Sequence, residues 1–143
     1  MFIADITGVY DVYQNGLDLT LKESIQLPSH DPSTLVSAMA AVTQHLGFGV
    51  TVNLSYESPY QFARRFASLD HLTHGRMGWN IVTGYLDSAE RLIGQIGLKD
   101  HDLRYEQAEE FLELCYKFWE GSWEDDAVQK DKLNRVFTDP SKV

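Results

Sequence analysis

The stretch from residue 48 to residue 83 restricts the fold of this chain most, because two short apolar runs there flank one strongly capped helix. In residues 48–54, Val50, Val52 and Leu54 alternate with Thr51 and Asn53, the period-two spacing of a strand. Ser58, Pro59 and Gln61 then stand where an N-cap, a first helical residue and a capping-box partner belong, and Phe62, Phe66 and Leu69 follow at helical spacing. Gly75 turns the chain into a second strand, residues 77–83, within the run GRMGWNIVT. Strand, helix and strand in that order form a βα repeat, whose helix carries the chain back so that the two strands lie parallel.

The same order recurs on either side. Residues 2–5 read as the end of a buried strand. The connection from 6 to 30, with Gly8, Asn15-Gly16 and Pro28, is far longer than the roughly 2–6 residues usual in α/β units, and loops of that length tend to be functional. Asp31-Pro32 starts a helix that carries Leu35, Val36, Met39 and Val42 and is expected to end at Gly47. After a polar loop, a last helix is expected from 101 to 120, with Ala108, Phe111, Leu112, Cys115, Phe118 and Trp119 as its buried stripe, a Glu113–Lys117 surface pair and Gly121 as its stop. This alternation fits an α/β protein of the (β/α)8 TIM-barrel type, which takes roughly 250 residues. A chain of 143 residues is therefore expected to be one partial domain, a piece of a barrel truncated at both ends, with 122–143 as the start of an insertion.

Composition removes several function classes. A formal net charge of −9 argues against a nucleic-acid surface, which needs clustered Lys and Arg. No apolar run is long enough to span a bilayer, so no membrane role is implied. The single cysteine, Cys115, excludes a disulfide framework within the chain, and the N-terminus lacks the basic and apolar stretches of a secretory signal; a cytoplasmic location is expected. The five histidines, His30, His45, His71, His74 and His101, have no H-E-x-x-H or facial-triad spacing, so no metal is expected. The G-x-S-x-G elbow, the Walker loop and the G-x-G-x-x-G fingerprint are all missing, which removes the hydrolase and P-loop readings.

Polar residues instead gather near the ends of the expected strands: Asp5, Thr51, Asn53, Asn80 and Thr83. In barrels that end is the active-site face. Thr51 and Asn53 share a strand face, whereas Asn80 and Thr83 fall on opposite faces, and spacing alone does not choose between them. His101 and Tyr105, four apart, lie on one side of the last helix's first turn, where a helix N-terminus favours an anion. Arg64 and Arg65 point in different directions and are read as salt-bridge partners.

Three runs, FIAD followed by GVYDVY, the segment GVTVNLSYESPYQFARRFASLDHLTHGRMGWNIVTGYLDSAER, and HDLRYEQAEEFLELCYKFWEGSWEDDAV, together resemble the bacterial-luciferase-like flavin monooxygenases. They are most similar to the branch with nitrilotriacetate monooxygenase component A, dibenzothiophene-sulfone monooxygenase and dimethyl-sulfide monooxygenase. The resemblance covers nearly the whole chain. It implies a luciferase-like barrel that takes reduced FMN from a separate NAD(P)H-dependent flavin reductase and uses O2 to oxidise a small organic substrate, often with C–N or C–S cleavage. It places flavin contacts on Asp5, Thr51, His101 and Tyr105, and less directly on Asn53 and Asn80, with no catalytic residue assigned. The chain departs from the family pattern at Asn53, Gly84 and Leu92. Relatives commonly dimerise through barrel helices, so a homodimer is among the expected assemblies. A catalytically silent barrel fragment or pseudoenzyme serving as an interaction module is the alternative from another class, and a deazaflavin-dependent reductase is a third.

Overall fold

A computed structural model describes residues 1–143. Three parallel strands, β1 (Phe2–Ile3), β2 (Phe48–Asn53) and β3 (Met77–Val82), form one sheet in the order β1-β2-β3. The helices are α1 (Asp18–Lys22), α2 (Pro32–Ala41), α3 (Pro59–Thr73), α4 (Asp87–Leu92) and α5 (His101–Glu120). The tail folds into an antiparallel pair, β4 (Val128–Asp131) and β5 (Val136–Thr138). An α/β architecture with parallel strands is thus present.

The best-signalled elements form for the reasons their residues supply. Ser58 Oγ accepts from the Gln61 amide at 3.3 Å, and His74 closes α3 in the left-handed conformation. The Asp31 carboxylate caps α2 through the Ser33 amide at 2.8 Å. Along β2, Phe48 and Val50 pack against Val36, Ala40 and Leu69, while Leu54 packs with Phe62, Phe66, Ala108, Phe111 and Cys115. Alternation therefore turns Thr51 and Asn53 to the opposite face, as expected. Phe62, fully buried, is the hub: its ring lies 4.2 Å from both Phe66 and Trp79 and 5.6 Å from Phe111.

Several expectations are corrected. α2 ends at Ala41 and not at Gly47, because the Arg76 guanidinium takes the carbonyls there: it donates to Leu46 O at 2.8 Å, Thr43 O at 3.0 Å and Ala40 O at 3.4 Å. Of the apolar residues on that helix, Val36 and Ala40 are buried and Met39 packs beside them, while Leu35 and Val42 are exposed. β1 stops at Ile3, two residues before Asp5. The polar loop after β3 contains α4, and the long connection contains α1 and a 3-10 turn at Tyr13–Asn15. The α5 stripe is buried at Ala108, Phe111 and Cys115, but Phe118 and Trp119 remain partly open at the helix end, where Trp119 Nε1 donates to Ala63 O at 3.0 Å.

The long connection is held by α4. Gly8 sits so close to it that a Cβ would lie 2.7 Å from Ser88 Oγ and 2.8 Å from Ala89 Cβ. Ser88 Oγ donates to Val9 O at 2.7 Å and accepts from Val9 N at 3.2 Å. Arg91 pairs with Asp11 at 3.2 Å, and the hydroxyls of Tyr10 and Tyr85 share a hydrogen bond of 2.7 Å.

Candidate functional site

At the carboxyl ends of β1 and β2 lies a cleft of about 470 Å³, lined by Asp5, Thr7, His30, Asp31, Thr51, Tyr56 and Arg65 among others. Three things build it: the turn beyond β1 presents Asp5, the face of β2 away from the helices presents Thr51, and the capped turn before α3 presents Tyr56 and Glu57. Glu57 is ion-paired with Arg65, which binds that turn to the helix.

Parallel register places Thr51 beside Asn80, and Asn80 Nδ2 donates to Thr51 Oγ1 at 3.0 Å. This answers the question that spacing left open, since Asn80 and not Thr83 shares the Thr51 face. Thr51 is 7% exposed, and its hydroxyl proton makes no hydrogen bond within the chain, so it is available to a ligand carbonyl. Burial, reinforced by the neighbouring Asp31 charge and opposed by the Ile6 amide, pushes the Asp5 carboxyl above its ordinary value. A hydroxyl donor and a carboxyl group thus face the same space.

Asn53 is 4% exposed, and its Oδ1 accepts from the Ser55 amide at 2.9 Å. Tyr56 keeps its proton more firmly than usual, chiefly through burial. The Asn53 amide lies near the Tyr56 hydroxyl without closing a hydrogen bond to it.

His101 and Tyr105 are placed elsewhere. They stack on each other at the start of α5, with ring centroids 4.8 Å apart, and both are exposed. His101 Nδ1 is 2.8 Å from Asp102 Oδ1. Tyr105 lines a second cleft of about 440 Å³ with Thr83, Gly84 and Tyr85 at the end of β3. The expected residues therefore form two groups, Asp5 with Thr51 and Asn80, and His101 with Tyr105. Tyr85, whose hydroxyl is pushed up to about 12 by burial and by Tyr10, joins the second cleft to the long connection.

Sequence reasoning passed over Tyr56, Tyr85 and Glu90. Nothing local distinguishes Glu90 within DSAERL from a solvated helix residue, yet it is 2% exposed. No group of three or more His, Cys, Asp and Glu side chains is arranged to hold a metal ion, and no helix is long and apolar enough to cross a membrane.

Comparison with known proteins identifies this architecture. Residues 13–141 match the family model for luciferase-like monooxygenases. The chain is 55% identical over 143 residues to the dimethyl-sulfide monooxygenase of Hyphomicrobium sulfonivorans, covering all of this chain and 30% of that protein. It superposes on the crystal structure of a long-chain alkane monooxygenase with a TM-score of 0.94 at 54% identity, covering 99% of this chain and 33% of that one. A riboflavin lyase structure, solved with modified FMN and riboflavin, matches with a TM-score of 0.87 at 45% identity over 99% of this chain and 32% of that one. The chain spans about a third of the length of such relatives, 30% in the dimethyl-sulfide enzyme and 33% in the alkane enzyme. On the family model and these identities, the chain belongs to the luciferase-like monooxygenases.

Proposed function

We propose that this chain forms the flavin-facing part of a two-component monooxygenase of the cytoplasm, built on a (β/α)8 barrel of which β1 to α5 are consecutive units and the β4–β5 hairpin the start of an insertion. The observation that carries the reading is the meeting of Asp5, Thr51 and Asn80 at the carboxyl ends of parallel strands, where ligands bind in α/β sheets. Reduced FMN would come from a separate NAD(P)H-dependent flavin reductase. The riboflavin lyase relative, whose structure contains modified FMN, supports the cofactor.

The residues fit the polar edge of a flavin ring. That edge presents carbonyls and N–H groups, and the cleft offers the free Thr51 proton as donor and the Asp5 carboxyl as acceptor, with the Thr51 oxygen held by Asn80. His101 and Tyr105, at the N-terminal turn of the 20-residue α5, suit the ribityl or phosphate oxygens. Bound FMN would supply the oxidising chemistry with O2. The protein's work is to orient the ring, to exclude water through the docked long connection, and to hold the Tyr56 and Tyr85 protons at the clefts. The substrate class, a small organic molecule, follows the relatives.

The test is a titration of the full chain with oxidised and anaerobically reduced FMN, by flavin fluorescence and absorbance alongside circular dichroism, then oxygen uptake with a flavin reductase. Saturable binding is expected, weakened in Asp5→Ala and in His101→Ala. Unchanged affinity in both variants would sink the site assignment. A folded chain without flavin affinity would favour the silent interaction module, a reading that the apolar groove beside β3, lined by Phe66, Trp79, Ile81 and Trp119, also suits.

A further inference from the structure

Asn80 and Thr51 stand side by side on neighbouring strands but meet the cleft differently. The sheet order is β1-β2-β3, so Asp5 beyond β1, Thr51 on β2 and Asn80 on β3 lie on successive strands. Strands are spaced about 4.8 Å apart, which sets Asn80 one strand further from Asp5 than Thr51. Thr51 lines the cleft together with Asp5, and Asn80 does not. An effect of Asn80 on a ligand in that cleft therefore has to pass through its neighbour.

The hydrogen bond between the two side chains has a direction. Asn80 Nδ2 donates to Thr51 Oγ1 at 3.0 Å. A threonine hydroxyl has two lone pairs and one proton, so an amide that occupies a lone pair leaves the proton to turn elsewhere. On the other flank β1 pairs with β2 only as far as Ile3, opposite Val50, and no ladder residue of β1 stands beside Thr51. That flank is the side of Asp5 and the cleft. Thr51 is 7% exposed, so its side chain is held by these neighbours and not by bulk water. A hydroxyl whose oxygen already accepts is also the stronger donor, because hydrogen bonds in a chain polarise one another.

We propose that Asn80 is a positioning residue: its amide holds the Thr51 oxygen and thereby turns the one hydroxyl proton toward the cleft, as a donor to a flavin carbonyl. Asn80 itself makes no contact with the flavin, in place of the contact that resemblance leads one to expect. The role rests on the FMN reading and adds to it a direction for the Thr51 hydrogen bond and a second residue that fixes it.

A double-mutant cycle on the FMN affinity of the full chain tests this, with circular dichroism to check that each variant folds. Thr51→Val is expected to weaken FMN about tenfold, the equivalent of one hydrogen bond. Asn80→Ala is expected to weaken it about fivefold in the native background and less than about twofold in Thr51→Val, because the hydroxyl on which it acts is gone. Equal loss in the two backgrounds overturns the role, since Asn80 would then touch the flavin or act through packing. Native affinity in either single variant overturns it as well. Asn80→Asp has nearly the same shape, but its carboxylate only accepts and so takes the Thr51 proton away from the cleft. In this variant the carbonyl stretch of bound oxidised FMN, read by infrared difference spectroscopy, should rise as it does in Thr51→Val. An unchanged stretch overturns the direction assigned to the hydrogen bond. Should Asn80→Ala not fold, Asn80→Asp takes its place in the cycle, and a further shift of the stretch when it is added to Thr51→Val counts against the role. A native chain that binds no FMN refutes the flavin reading and the role together, whereas a native chain that binds FMN with additive losses refutes the role alone.

Discussion

Replacing Arg76 by lysine should destabilise the chain although charge and length are nearly kept. The guanidinium at the amino end of β3 donates to five acceptors: Thr73 O at 2.6 Å, Leu46 O at 2.8 Å, Thr43 O at 3.0 Å, Thr43 Oγ1 at 3.2 Å and Ala40 O at 3.4 Å. It also lies over the Phe48 ring at 5.5 Å from the centroid. These acceptors are four loose carbonyls and one hydroxyl at the ends of α2 and α3 and in the turn before β2, so one side chain closes three chain segments. A hydrogen bond to a charged group contributes about 1.5–3 kcal/mol when buried. Arg76 is only half-buried and water can replace part of each bond, so the whole set is worth about 2–4 kcal/mol in Arg76→Met. A lysine ammonium has three donors on one atom and cannot span a forked set of acceptors, so Arg76→Lys should lose about 1–2 kcal/mol. The assay is urea unfolding followed by circular dichroism, with Arg64→Ala as control. Arg64 is exposed, its side chain makes no hydrogen bond or ion pair, and its loss should stay within about 0.5 kcal/mol. If Arg76→Lys unfolds with the midpoint of the native chain or of Arg64→Ala, Arg76 is not the clasp described.

Other perturbations give equally definite outcomes. The folded state raises the Asp5 pKa above 3.8, so folding is opposed once pH rises past the unfolded value and is unpenalised below it; Asp5→Asn should melt at a higher temperature than native at pH 7, with the gap closing as pH falls from the raised folded value to 3.8, and a lower melting temperature at pH 7 would refute the burial argument. The same variant should bind FMN more weakly, which separates a site residue from a structural one. Phe62→Ala, at the centre of the aromatic cluster, should cost about 3–5 kcal/mol in urea unfolding, and a loss under about 1 kcal/mol would mean that the α3–α5 seam repacks freely. Cys115 is fully buried and its thiol is pushed up to about 11, mainly by burial, so an aromatic disulfide reagent at pH 8 should label no thiol in the native chain and one in denaturant. Rapid labelling of the native chain would show that seam to be open.

The parts legible in the sequence are those with local causes. β2, α3 and β3 follow from alternation, a serine cap and a glycine turn within residues 48–83, and each forms within a residue or so of expectation. The end of α2 was not legible, because Arg76, more than thirty residues away, decides it. α4 lacks a side-chain cap and has six residues, so its helical pattern is too short to read, and it is steadied by Gly8, Val9 and Asp11 from the other end of the chain. At the site, Thr51 and Asn53 were readable as a pair from their spacing. The choice of Asn80 needed the register of β2 against β3, which no single strand encodes.

The two ends of the sheet are treated in opposite ways, and this bears on where function lies. At the amino end Arg76 gathers carbonyls from three segments, and its charge is spent on hydrogen bonds inside the chain. At the carboxyl end Asn53 Nδ2, Glu90 Oε1 and Arg65 Nε are buried and unpaired, the Thr51 hydroxyl keeps its proton free, and the Asp5 carboxyl is driven toward its protonated form. A chain selected by stability alone would gain by pairing these groups or replacing them with apolar ones, since each costs free energy as it stands. Of these, Asp5, Thr51 and Arg65 line one cleft, which makes sense if a ligand with matching donors and acceptors supplies the missing partners there. The strain is therefore expected to be relieved on binding: FMN should raise the melting temperature of the native chain and do so less in Thr51→Val, which keeps the shape of the side chain and removes its hydroxyl. Equal shifts in the two proteins would mean that the unpaired end of the sheet is not where the flavin sits.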